Sequence, residues 1–136
     1  MVEFSRLLSD SDFISIHAPL ANETRHSFGE NELEAMKKTA YLINTARGSI
    51  IDEKALYKAL KERWIAGAAL DVMEKEPPDW ENPLLKLDNL VITPHISFYS
   101  EESYVELKTR TAEAVLSVLK GGLPRAFVNP QAVKGK

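Results

Sequence analysis

The sequence contains no cysteine in 136 residues, which excludes disulfides and thiolate chemistry and leaves the redox compartment unread. It has no stretch approaching the roughly 20 apolar residues that a membrane span requires, so a membrane partner is not expected. Its opening residues, MVEFSRLLSDSD, carry acids where a signal peptide would carry an apolar run, and cytoplasmic residence is the expectation. There is no excess of positive charge: 17 Lys and Arg against 20 Asp and Glu give a net charge of -3, and nucleic acid is not an expected partner. A metal centre is not expected either. Glycine is sparse, and none of Gly29, Gly48, Gly67, Gly121, Gly122 and Gly135 falls in a G-x-G-x-x-G spacing. The chain therefore lacks the loop whose backbone N–H groups and helix N-terminus grip a pyrophosphate.

What is present suits one compact domain, with 44% hydrophobic residues to build a core. Four short apolar runs stand out: Phe13 to Ile16, closed by Pro19; Tyr41 to Ile43; Ile65 to Val72; and Leu90 to Ile92, closed by Pro94. Their near-continuous apolar character predicts parallel strands buried on both faces. Helical patterns lie between and after them. Glu32 to Lys38 carries Leu33 and Met36, and Glu53 to Arg63 follows the candidate N-cap Asp52 with Ala55, Leu56, Ala59 and Leu60 on one face. A long helix is expected from Glu101 to Lys120, stopping at Gly121-Gly122. Its apolar residues cover about 200° of its circumference, wider than one sheet needs, which points to a second surface on another subunit or domain. The basic tail of Arg125, Lys134 and Lys136 reads as solvated. Alternation of strand and helix gives an α/β class with a partial Rossmann-like, three-layer arrangement of about four parallel strands.

In such sheets ligands sit beyond the carboxyl ends of the strands. Those ends carry His17, Arg47, Asp71, Glu76 and His95. An imidazole exchanges protons near neutral pH, and a carboxylate on its second nitrogen fixes the tautomer and raises basicity, so Glu76 with His95 could form an acid/base pair. The planar guanidinium of Arg47 could hold a carboxylate by two bonds, with Gly48 permitting a tight turn behind it. Each residue alone has an ordinary explanation: a structural histidine, a surface ion pair, a charged loop over Glu74 to Glu76, a turn cap at Asp71. The residues by themselves define an acid/base and anion site, and no more.

The blocks SDFISIHAPLANETRH, YLINTARGSIIDEKAL, GAALDVMEKEP and VITPHIS, taken in order from Phe4 to Val128, resemble the D-isomer-specific 2-hydroxyacid dehydrogenases. The resemblance implies that Arg47 binds the substrate carboxylate, Glu76 orients the catalytic histidine, and His95 transfers the proton. It implies NAD or NADP as cofactor, with Asp71 on the nicotinamide carboxamide, Thr45 and Ala46 lining the nicotinamide side, Ala18 and Pro19 beside the adenosine ribose, and Arg47, His95 and Ser97 also among the cofactor-binding residues. His17 takes a structural role, and His26 receives none.

The same resemblance implies that residues 1–136 match the C-terminal part of a dinucleotide-binding domain, without the G-x-G-x-x-G half and without the substrate domain. Little turnover and no tight cofactor binding are then expected of these residues alone. The first strand would stand at an open sheet edge, so a homo-oligomer or a complementing chain is the expected partner, with a small 2-oxo or 2-hydroxy acid as substrate once the site is completed. A non-catalytic interaction module, or half of a split enzyme, is the alternative. After His95 the run Ile96-Ser97-Phe98-Tyr99-Ser100 is bulkier than the small residues common in the family; Phe98 would narrow the substrate side or, in the ordinary reading, pack on the last helix.

Overall fold

Four runs become short parallel strands: β1 (Phe13–Ile16), β2 (Tyr41–Asn44), β3 (Gly67–Leu70) and β4 (Leu90–Ile92). The structure is a computed structural model describing residues 2–129 and 131; the expected basic tail at Lys134 and Lys136 lies outside them. Two compact units divide the chain at Ser97 and Phe98. In the first, the strand order is β1-β2-β3-β4, with Ile14 level with Leu42, Leu42 with Ala68, and Leu70 with Ile92. Each crossover between consecutive parallel strands carries helical or turn structure, as the α/β expectation requires.

Three helices accompany the sheet: α1 (Phe4–Asp10), α2 (Glu30–Glu34) and α3 (Glu53–Lys61). The core joins Ile14, Ile16, Leu42, Ala68 and Leu70 of the sheet to Leu8 of α1, Leu33 of α2, and Ala55, Leu56, Ala59 and Leu60 of α3. α3 starts where Asp52 accepts from the N–H groups of Lys54 and Ala55, the expected cap. It ends at Lys61, two residues early, because Arg63 adopts a left-handed φ of 58° that turns the chain towards β3. α2 is also shorter and earlier than its periodicity suggested; Met36, the second apolar position, is buried in the turn that follows it. α1 had no counterpart in the sequence reading.

The expectation that every strand is buried on both faces is corrected. Burial alternates along β1, where Ile14 and Ile16 are buried while Phe13 is 70% exposed. Tyr41 on β2 and Val91 on β4 share that open face. The physical reason is that α1, α2 and α3 bury the side chains of the opposite face, so apolar outer residues stay in water; only β3 is largely buried along its length.

The second unit holds α4 (Glu101–Leu119), capped by Ser100, whose hydroxyl accepts from Ser103 N while Ser103 Oγ accepts from Ser100 N. None of its residues is buried, and Val105, Leu107, Val115, Leu116, Val118 and Leu119 are all exposed, in keeping with the wide apolar face. Phe98 is 57% exposed, and the neighbouring Tyr99 meets Tyr104 of α4 with ring centroids 5.5 Å apart. No helix among the described residues is long and apolar enough to cross a membrane.

Candidate functional site

β2 ends on Asn44, a fully buried amide whose position is defined by its bonds. Its Oδ1 accepts from Ala46 N at 3.0 Å and its Nδ2 donates to Arg47 O at 2.9 Å, closing the loop that projects the exposed Arg47. Asp71 N donates to Asn44 O, which ties this loop to the end of β3. A Cβ at Gly48 would collide with the carbonyl of Met73 and the amide nitrogen of Glu74, backbone atoms that have no rotamer by which to escape. Only glycine allows the Arg47 loop to lie this close to the loop after β3.

Asp71, 4% exposed, organises the next element. Its Oδ1 accepts from Thr93 Oγ1 at 2.5 Å and Ile96 N at 2.9 Å, and its Oδ2 from Ser97 N at 3.0 Å. Burial alone would raise the Asp71 pKa, but these donors outweigh it and hold the carboxyl far below its ordinary value. His95 N donates to Asp71 O at 2.9 Å, and His95 has a left-handed φ of 56°. The turn Thr93–Ser97 is thus wrapped around Asp71, which stabilises a backbone conformation that a non-glycine residue rarely adopts.

The turn sets the His95 ring against the Met73–Glu76 loop. His95 Nδ1 lies 2.8 Å from Glu76 Oε2, while Glu76 Oε1 accepts from Met73 N at 2.9 Å. Hydrogen bonding to His95 lowers the Glu76 pKa despite the opposing effect of burial, with Met73 N adding to it. A carboxylate acceptor puts the proton on Nδ1, so the neutral ring offers Nε2 as its free lone pair. Among the described residues Nε2 takes no hydrogen bond. The pair opens on a cavity of about 460 Å³ whose other walls include Met73, Pro77, Pro78 and Ile92.

Glu76, His95, Asp71 and Ser97 therefore come together. Thr45, Ala46 and Arg47 after β2, and Ala18 and Pro19 after β1, stand along the same carboxyl edge without lining that cavity. Glu74 turns away to His26, and His17 Nε2 is engaged by Ser15 Oγ at 2.8 Å. The sequence reading missed Asn44 and Thr93 as organising groups. The available signal was a polar residue ending each apolar run, where side chains of this type bond local backbone or neighbouring turns.

A parallel sheet flanked by helices, with polar side chains gathered at its carboxyl edge, is the arrangement of the α/β sheets that take ligands beyond their strand ends. Residues 1–97 match the family described as "D-isomer specific 2-hydroxyacid dehydrogenase, NAD binding domain". The chain belongs to this family. It is 49% identical over 133 residues to a glyoxylate reductase of Korarchaeum cryptofilum, a match spanning 98% of this chain and 40% of that protein. Among solved structures, the NAD-complexed D-isomer specific 2-hydroxyacid dehydrogenase of Lactobacillus delbrueckii superposes with a TM-score of 0.84 at 39% identity, covering 93% of this chain and 43% of that one. An acyclic imino acid reductase (Bsp5) in complex with NADPH and D-Arg superposes with a TM-score of 0.79 at 36% identity, covering 93% of this chain and 40% of that one. The chain thus spans about two fifths of the length of these relatives.

Proposed function

We propose that these residues form the proton-transfer and anion-binding wall of an NAD(P)-dependent reductase of small 2-oxo acids. The single observation that carries this reading is the 2.8 Å contact of Glu76 with His95 Nδ1, which leaves Nε2 free on a residue that lines the cavity. The apolar walls Met73, Pro77, Pro78 and Ile92 beside a half-exposed imidazole suit a nicotinamide ring. Thr45, Ala46, Ala18 and Pro19 would flank the cofactor along the sheet edge. Asp71 lines the same cavity, and Thr93, Ile96 and Ser97 N occupy three of its roughly four acceptor sites, so one site on Oδ2 remains for the nicotinamide carboxamide.

In the proposed reaction Arg47 holds the substrate carboxylate by two parallel bonds. Protonated His95 donates from Nε2 to the C2 oxygen, and Glu76 stabilises the imidazolium and fixes its orientation. A bound reduced nicotinamide supplies the hydride to C2. The products are the 2-hydroxy acid and a neutral His95, which is reprotonated from solvent. Residues 1–136 alone are expected to turn over little, since proximity of substrate, cofactor and acid is most of the catalytic gain and no pyrophosphate-binding loop is among them.

The test is a chimera in which these residues replace their equivalents in the Korarchaeum glyoxylate reductase. Reduction of a 2-oxo acid by NADH or NADPH is expected, with a loss of about 10²–10⁴ in kcat on His95→Asn. A folded chimera without turnover, or one indifferent to His95→Asn, overturns the reading. A second reading concerns association: β1 is a sheet edge with no strand beside it among the described residues, and it borders an open apolar face. That favours a homo-oligomer or a complementing chain seated there.

A further inference from the structure

Two loops carry the proposed chemistry, one bearing Arg47 and one bearing Glu76, and a set of side chains behind them joins the two. Glu53 N, at the start of α3, donates to Glu74 Oε1 at 3.0 Å, and Glu74 N donates back to Glu53 Oε1 at 2.7 Å. Asn82 Nδ2 donates to the second oxygen of Glu53 at 3.1 Å. On the other side, His26 Nε2 lies 3.2 Å from Glu74 Oε1, and the His26 backbone N donates to Ser49 O at 2.9 Å. Ser49 is two residues beyond Arg47, and Glu74 is two residues before Glu76.

We propose that Glu53, Glu74 and His26 are positioning residues that clasp the Arg47 loop to the Glu76 loop and thereby set the orientation and tautomer of His95. The inference rests on the Glu76–His95 acid/base reading above. A simple helix cap does not explain the arrangement, because Asp52 already caps α3 through Lys54 N and Ala55 N. An ordinary surface ion pair does not explain it either. Such pairs join side chains, whereas here each glutamate carboxylate satisfies the other's backbone N–H, fixing loop position and not charge alone. His26 also keeps a left-handed φ of 51°, a conformation with a cost, to present its ring and its N–H to the two loops at once. Gly48, pressed against Met73 and Glu74, leaves the clasped loops no room to shift.

The clasp can be read without turnover, since the chain has only three histidines. Ring ¹⁵N shifts of the uniformly labelled 136-residue chain at alkaline pH report the Nδ1–H population of His95. In the parent chain the Nδ1–H form is expected to dominate, and Glu76→Ala to abolish that preference. Glu74→Ala is expected to lose much of the Nδ1–H population while the backbone amide spectrum stays folded. Glu74→Gln, which retains an acceptor for Glu53 N, is expected to restore it. If Glu74→Ala loses the folded spectrum, Glu53→Ala is read in the same way, since it leaves the Glu74 carboxylate on the helix. A folded Glu74→Ala or Glu53→Ala chain with the parent tautomer overturns the clasp. An unchanged tautomer in Glu76→Ala takes down the acid/base reading first, and the clasp with it.

Discussion

Glu76 holds His95 with one carboxylate oxygen, 2.8 Å from Nδ1, and is itself held through the other by the backbone N–H of Met73 at 2.9 Å. The carboxylate therefore cannot rotate to release the ring without also abandoning its own loop. This couples the orientation of the proposed acid to the fold of residues 73–76.

A pH dependence follows. The Glu76 pKa in the fold lies below its ordinary value, chiefly through the His95 bond. A depressed carboxylate contributes stability that is present above its unfolded pKa and is lost as pH falls through the folded one. The thermal midpoints of the parent chain and Glu76→Gln should differ near neutrality and converge as pH drops below about 4, near the ordinary glutamate pKa. The side chain is 39% exposed, so screening keeps the gap to about 1 kcal/mol or less. A gap that widens in acid would contradict the assignment.

Asp71 should matter more, because it is nearly buried and is bonded to Thr93, Ile96 and Ser97. In Asp71→Asn one acceptor oxygen becomes an NH₂ that faces a donor, and the charge that strengthens each bond is gone. The expected loss is about 1.5–3 kcal/mol in urea unfolding, the range for hydrogen bonds to a charged group. His95 should also lose its left-handed geometry, read as a changed ³J coupling of its amide. A variant of parent stability would show that the turn does not depend on Asp71.

Gly48→Ala brings a methyl group onto the Met73 carbonyl and the Glu74 amide nitrogen. Backbone must move, at a cost of about 1–3 kcal/mol. The displaced residues lead directly to Glu76, so the His95–Glu76 contact should loosen in the same variant. Stability is read by chemical denaturation, and the contact by the His95 ring shifts. Parent behaviour in both would mean that the loops are not pressed together.

Much of this arrangement could be read from sequence, and what could not was non-local. β1, β2 and β4 fall on their apolar runs, and Asp52 caps α3 as its side chain suggests. The open sheet face could not be seen because Phe13, Tyr41 and Val91 are as apolar as their buried neighbours. Residue type does not say which face helices will cover. The short helix α1 has no side-chain cap and buries only Leu8, too little periodicity to register. In the site, Arg47, Glu76 and His95 were marked by type and by position at strand ends. The role of Asp71 was not, since its acceptor bonds reach 22 to 26 residues along the chain. The Glu53–Glu74 clasp hides for the same reason: two glutamates 21 residues apart look like any solvated acids until α3 and the loop after β3 are folded together.

The open edge leads to the last prediction. Phe13 is 70% exposed and stacks on Tyr41 with ring centroids 5.6 Å apart, on the strand with no neighbour beyond it among the described residues. An unpaired edge next to exposed aromatics favours pairing with another chain, and a lysine on such an edge opposes it. Sedimentation at micromolar concentrations should show mass increasing with concentration for the parent chain. Phe13→Lys should shift the distribution towards monomer while costing about 1 kcal/mol or less, the worth of a cross-strand aromatic pair. The stack with Tyr41 is lost, while Ile14 and Ile16 on the buried side of β1 are untouched. If parent and variant both sediment as monomers, the edge is not an association surface; if both associate equally, the surface lies elsewhere.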